Sequence, residues 1–66
     1  MKAYSGREFI RLLRQHGWTV ERIEGSHHIL SKPGREETIS IPVHGNRTLK
    51  PGLIRHILKL ADIPPE

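Results

Sequence analysis

The chain contains no cysteine, so it has neither a disulfide framework nor a thiolate metal centre. That absence fits a reducing cytosol. No apolar run approaches the ~20 residues needed to span a bilayer. No charged-then-apolar leader opens the sequence. The expectation is a soluble, cytoplasmic protein with no membrane partner. Internal repeats, linkers and low-complexity tracts are also missing, which predicts a single domain over residues 1–66. At 66 residues that domain lies at the small end of what folds alone. Without covalent staples it must rely on close packing of regular elements.

Acidic residues are scarce as well. Seven Asp and Glu face eleven Lys and Arg, a formal charge of +4, and the sequence pI is near 10.1. In so short a chain this points to a polyanionic partner, with nucleic acid the first candidate. The competing explanation is that net charge of this size keeps a small domain soluble. Arg7, Arg11 and Arg14 recur at i, i+4 and i+7, which makes one basic stripe on a helix. Lys50, Arg55 and Lys59 cluster on a second predicted helix. A charged stripe opposite an apolar one is also what an ordinary solvated face looks like.

Five elements are predicted. Ser5–Gly6–Arg7–Glu8 has the pattern of a capping box, and Tyr4 and Phe9 flank it at the spacing of a hydrophobic staple. The first helix therefore runs over about 6–16, with Phe9, Ile10, Leu12 and Leu13 on its apolar side. Gly17 ends it in a left-handed cap and lets Trp18 fold back on Leu13. A first strand covers 18–24. Its alternation breaks at Ile23, so either the strand stops near Arg22 or a bulge switches its faces. Gly25–Ser26 is a turn, and a second strand covers 27–32. Pro33–Gly34 is a second turn, and a third strand covers 36–43. After a polar loop, Thr48 is the expected N-cap of a second helix that tolerates Pro51 in its first turn. Ile63–Pro64–Pro65 stops that helix. Helix, three strands, helix makes an α+β fold, a three-stranded antiparallel sheet with both helices on one face. This is the element order of the double-stranded-RNA-binding domain, although order alone does not fix function.

The most constrained chemistry lies in Gly25–Ser26–His27–His28. Strand alternation sends one histidine toward the core and the other to solvent. A glycine beside them lets a ligand backbone approach. Histidine has a reference pKa of about 6.5, which suits either proton-transfer role near neutral pH. The plain alternative is that both are ordinary surface or half-buried histidines. Trp18 is a possible base-stacking platform by type, but at a helix–strand junction it reads as core.

Near its full length the chain resembles the HicA family of toxins, partners of HicB antitoxins. The resemblance rests on Gly17–Trp18, on Gly25–Ser26–His27–His28–Ile29, and on Pro33–Gly34. It continues in Ile39–Ser40–Ile41–Pro42–Val43–His44 and in Leu49–Lys50–Pro51–Gly52–Leu53–Ile54–Arg55. It implies the toxin of a type II toxin–antitoxin system, with a double-stranded-RNA-binding-like fold and ribosome-independent cleavage of mRNA. It places the catalytic role on His27, with His28 the second choice. An acidic HicB-like antitoxin is the implied partner. One departure is Asp62, where the family often has a helix-ending glycine.

RNA can be cut without a metal when a base takes the 2′-hydroxyl proton and an acid protonates the leaving 5′-oxygen. Cationic and polar groups must then steady the charge on the phosphate. Ser26, Lys32, Arg47 and Lys50 are the candidates, and the amides that open the second helix add another. His44 is a possible second proton-transfer group, because strand 3 ends where strand 2 begins. Its alternative role is to order a loop. No metal or other cofactor is expected. His27 and His28 point to opposite faces, no carboxylate lies at a strand or helix offset from either, and zinc enzymes need three convergent ligands. The Arg35–Glu36–Glu37 turn is acidic and is expected to face away from RNA. Two other readings compete with a nuclease. One is a non-catalytic RNA-binding module of the same fold. The other is an interaction module whose basic surface meets an acidic protein.

Overall fold

The computed structural model describes residues 3–64. Its elements are α1 (Gly6–Gln15), β1 (Thr19–Glu24), β2 (His27–Ser31), β3 (Ile39–Pro42) and α2 (Pro51–Leu60). The strands form one antiparallel sheet in the order β1-β2-β3.

The start of α1 is built as its sequence dictates. The Glu8 amide donates to Ser5 Oγ at 3.2 Å, and the Ser5 amide donates to Glu8 Oε1 at 2.9 Å. The Tyr4 and Phe9 rings close the staple with centroids 5.4 Å apart. At the other end Gly17 has φ +95°. The Trp18 amide reaches the Leu13 carbonyl and the Gly17 amide reaches Arg14, both at 3.1 Å. That pair of bonds is the Schellman pattern, and it delivers Trp18 to the core against Leu13. Trp18 is fully buried, which removes it as a stacking platform.

Register decides which residues share a face. Val20 pairs with Leu30 and Ile23 with His28 on one side, and His28 with Ile41 and Leu30 with Ile39 on the next. These residues line the face on which Phe9, Leu13, Ile54, Ile57 and Leu58 pack. A bulge between Val20 and Arg22 carries β1 on to Glu24 and returns Ile23 to the helix side. The helices stop short of it there, so Ile23 stays 59% exposed. The outer face carries Arg22 and Glu24 from β1, His27 and Ile29 from β2, and Ser40 and Pro42 from β3.

Gly6 fixes how α1 sits. A Cβ at this position would lie 2.5 Å from the Pro42 carbonyl oxygen and 3.1 Å from a Val43 methyl. Only glycine lets the helix start rest directly on the end of β3.

Two boundaries depart from expectation by more than one residue. Strand 3 begins at Ile39 rather than residue 36, because β2 offers its last partner at Leu30. Thr48 is not the N-cap of α2. That position is Lys50, at φ −66° and ψ 138°, with Pro51 opening the helix and no side-chain cap. A residue before proline is pushed out of the helical region, so the boundary moves to Lys50. Thr48 bridges to Ser5 instead, and the Leu49 amide donates to the Tyr4 carbonyl at 2.8 Å. The chain ahead of α2 is thereby tied to the chain ahead of α1.

Arg35 does work the sequence did not announce. Its guanidinium donates to the Leu60 carbonyl at 2.6 Å, approaches Asp62 at 3.4 Å, and lies 5.7 Å from the Trp18 ring centroid. It also bonds Glu37 and holds that carboxyl below the usual carboxylate range. The acidic turn is thus stapled to the C-terminus of α2, where a cation favours the exposed carbonyls.

Asp62 occupies the left-handed cap of α2, at φ +57°. The Ile63 amide reaches the Leu58 carbonyl at 2.9 Å, and the Asp62 amide reaches Lys59 at 3.3 Å. This is a second Schellman end with aspartate where glycine is unstrained. Asp62→Gly should stabilise the fold by about 0.5 kcal/mol, since relief of backbone strain exceeds both the added chain entropy and an exposed ion pair. A thermal melt should rise by about 2–4 °C. A lower midpoint would mean that the pair with Arg35 outweighs the strain.

Candidate nucleic-acid site

Gly25 has φ +60° and occupies the first position of the two-residue turn between β1 and β2, as type II′ hairpins require. Such a turn sets the register on both sides of it. Glu24 and His27 therefore face each other as the last pair of the β1–β2 ladder. The Ser26 carbonyl accepts from the Val43 amide at 2.8 Å, which ties the turn to the chain leaving β3.

The two histidines separate as alternation demands. His27 is exposed on the outer face, while His28 is half-buried on the helix side. The Nδ1 of His28 is buried without a hydrogen-bond partner. His27 sits between Glu24 on β1 and Pro42 on β3. The Glu24 carboxylate bonds Arg22, which also bonds Glu21, and these two carboxylates raise the Arg22 pKa above its usual value, Glu24 contributing most.

Beyond Pro42 lies a hollow of about 230 Å³, lined among others by Pro42, His44, Arg47, Lys50 and Leu53. Gly45, at φ +59°, turns the loop, and the Arg47 amide donates to the His44 carbonyl at 3.1 Å. This turn brings His44 and Arg47 to the same hollow as Lys50, the N-cap of α2. Pro51 has no amide proton and Lys50 offers no side-chain cap, so the first-turn amides of Gly52 and Leu53 have no capping side chain. A helix start of this kind favours anions.

His44, Arg47 and Lys50 share this hollow, while Ser26 and His27 do not line it but lie at the same end of the sheet. They are linked by the His27–Pro42 pair and the Ser26–Val43 bond. Lys32 does not join them. It follows the far end of β2, about 16 Å away at ~3.3 Å per residue, where its Cε would lie 3.1 Å from a Cβ on Gly17. His16 and His56 are exposed at the end of α1 and on α2. Among the described residues, no three His, Asp or Glu side chains form a group able to hold a metal ion.

Glu24 is the neighbour that sequence offsets missed. It is three residues before His27, which suggests no contact along one strand. The tight Gly–Ser turn was the available signal, because residues flanking a two-residue hairpin loop pair with each other.

No helix among the described residues is long and apolar enough to cross a membrane. No curated protein matches the chain. The pattern of the HicA toxin of bacterial toxin–antitoxin systems matches residues 6–63, from the first residue of α1 to the Ile63 that closes α2. With nearly all of its 66 residues inside that match, the chain belongs to the HicA toxin family and is the toxin of a toxin–antitoxin system.

Proposed function

We propose that this toxin is a metal-independent endoribonuclease that cuts mRNA in the cytoplasm, with His27 as its catalytic residue. The observation that carries the reading is the position of His27. It is an exposed imidazole at the start of β2, beside an end of the sheet where His44, Arg47 and Lys50 surround one hollow.

In the proposed reaction His27 takes the proton from a ribose 2′-hydroxyl. The 2′-oxygen attacks the adjacent phosphorus, and the bond from phosphorus to the 5′-oxygen breaks. A protonated imidazole, for which His44 is the candidate, returns a proton to that oxygen. The products are a 2′,3′-cyclic phosphate and a 5′-hydroxyl, so atoms and charge balance without a cofactor. Arg47, Lys50, Ser26 and the α2 amides are proposed to steady the phosphate. Glu24, the register partner of His27 on the same face, is proposed to help orient the imidazole. Lys32 sits too far along the strand for the reacting phosphate, and is proposed to contact RNA farther from the cut.

A free nuclease of this kind would damage its own cell. The partner proposed to restrain it is an acidic, HicB-like antitoxin, steered to the basic end of the sheet by charge and covering His27.

Incubating the purified chain with RNA in excess chelator tests the reading. Cleavage leaving cyclic-phosphate and 5′-hydroxyl ends is expected. RNA retained but uncut would instead identify a non-catalytic RNA-binding module, and cleavage only on adding a divalent ion would remove the metal-free mechanism.

A further inference from the structure

α1 does not close completely over β1. An open groove of about 610 Å³ runs between them. One wall is the basic stripe Arg7, Arg11 and Arg14, and the floor holds Ile10, Val20 and His28, with Gln15 at one end. All three arginines are exposed. Among the described residues, none of them takes part in an ion pair. Three guanidiniums therefore stand without a carboxylate along about 10.5 Å of helix, at 1.5 Å per residue. A phosphate backbone carries negative charge at regular intervals, and such a row of cations complements it in sign and in form.

The floor has a different character. Ile10 is buried and Val20 half-buried, so the bottom of the groove is apolar. The Gln15 carboxamide supplies a donor and an acceptor beside it. His28 also lines the groove, and its Nδ1 has no hydrogen-bond partner within the fold.

The groove also leads to His27. α1 begins over Pro42 and Val43, beside the start of β2. The Arg7–His28 end is therefore next to the Gly25–Ser26 turn, one residue from His27 and on the other side of the sheet. A strand leaving the groove there has only the hairpin end to round.

We propose that the α1–β1 groove seats an unpaired stretch of the RNA substrate. Its phosphates lie on Arg7, Arg11 and Arg14, and one base rests on Ile10 and Val20 within reach of Gln15 and His28. This subsite then sets where the chain is cut. It rests on the nuclease reading above. An acidic protein segment would also suit the charge. RNA is favoured by the regular row of guanidiniums and by hydrogen-bonding groups set at either side of an apolar floor.

The probe is a fluorescently labelled single-stranded RNA oligonucleotide with 2′-O-methyl riboses, which cannot be cut. Its binding is followed by anisotropy for the parent chain and for the double variant Arg11→Glu/Arg14→Glu, whose positions are exposed and whose fold is checked by circular dichroism. At 50 mM salt the double variant should bind at least about tenfold more weakly, with a log-log salt slope shallower by about 1.4. On a defined unstructured RNA that can be cut, Gln15→Ala should shift the positions of cleavage. Parent-like binding by the double variant overturns the proposal. If that variant keeps its RNA affinity but loses the antitoxin, the groove is a protein-docking surface and the proposal fails. An unchanged cleavage map for Gln15→Ala overturns the role in site selection. The nuclease reading fails separately: a parent chain that binds the probe through its arginines but cuts no RNA sinks that reading and leaves the groove in place.

Discussion

His27→Ala should abolish RNA cleavage and toxicity while leaving the melting temperature almost unchanged. A positioned proton-transfer group contributes typically ~10²–10⁴-fold to a rate, and this is the expected loss. The folded state gives His27 little to do. It is exposed, it faces away from the core, and its neighbours in register are Glu24 and Pro42. Surface changes of this kind stay within about 0.5 kcal/mol, or about 2–4 °C in a domain of this size. RNA binding should survive, since lysines and arginines hold the phosphates. His28→Ala should separate the other way, with cleavage still measurable and stability lower by about 1 kcal/mol. Its half-buried ring pairs with Ile23 and Ile41 on the helix side, and its unpartnered Nδ1 keeps the loss from being larger. Cleavage rate and thermal melt, measured side by side, decide the matter. A His27→Ala chain that cuts near the parent rate is not missing its catalyst. A dead but well-folded His28→Ala chain would put the chemistry on the opposite face.

Local signals accounted for most of the fold. The capping box at Ser5, the Gly17 cap and the alternation in Ile39–Ser40–Ile41 each act within a few residues, so they are visible in one dimension. That the two histidines face opposite sides followed from the same logic, but which of them faces the helices became visible only in the fold. What stayed hidden depends on partners distant in sequence. Thr48 has the chemistry of an N-cap, but Pro51 forces Lys50 into that place and Ser5 claims Thr48 as a bridge partner. Arg35 reads as part of a polar turn, and only the folded chain brings Leu60 and Trp18 beneath it. Lys32 looked like a neighbour of His27, five residues away. An extended strand converts those five residues into the length of the sheet. The arginine stripe on α1 was legible as a stripe. The groove it borders was not, because that needs the gap between α1 and β1.

Affinity for RNA should depend steeply on salt. Arg47 and Lys50 line the hollow beyond Pro42, the register partner of His27, and Arg7, Arg11 and Arg14 line the groove between α1 and β1. If each neutralises one phosphate of a single strand, five contacts give a log-log slope of about −3.5. Raising salt fourfold, from ~50 to ~200 mM, should then weaken binding about 100-fold. Exposed guanidiniums and ammoniums are well suited to this, because each is hydrated in the free protein and releases condensed counterions from the RNA when it binds. Titrating the uncleavable oligonucleotide across that range measures the slope directly. Arg47→Ala/Lys50→Ala should reduce it by about 1.4. A flat dependence would mean that apolar contacts, not charge, hold the RNA, and the basic residues at both ends of this path would be no more than a solvated surface.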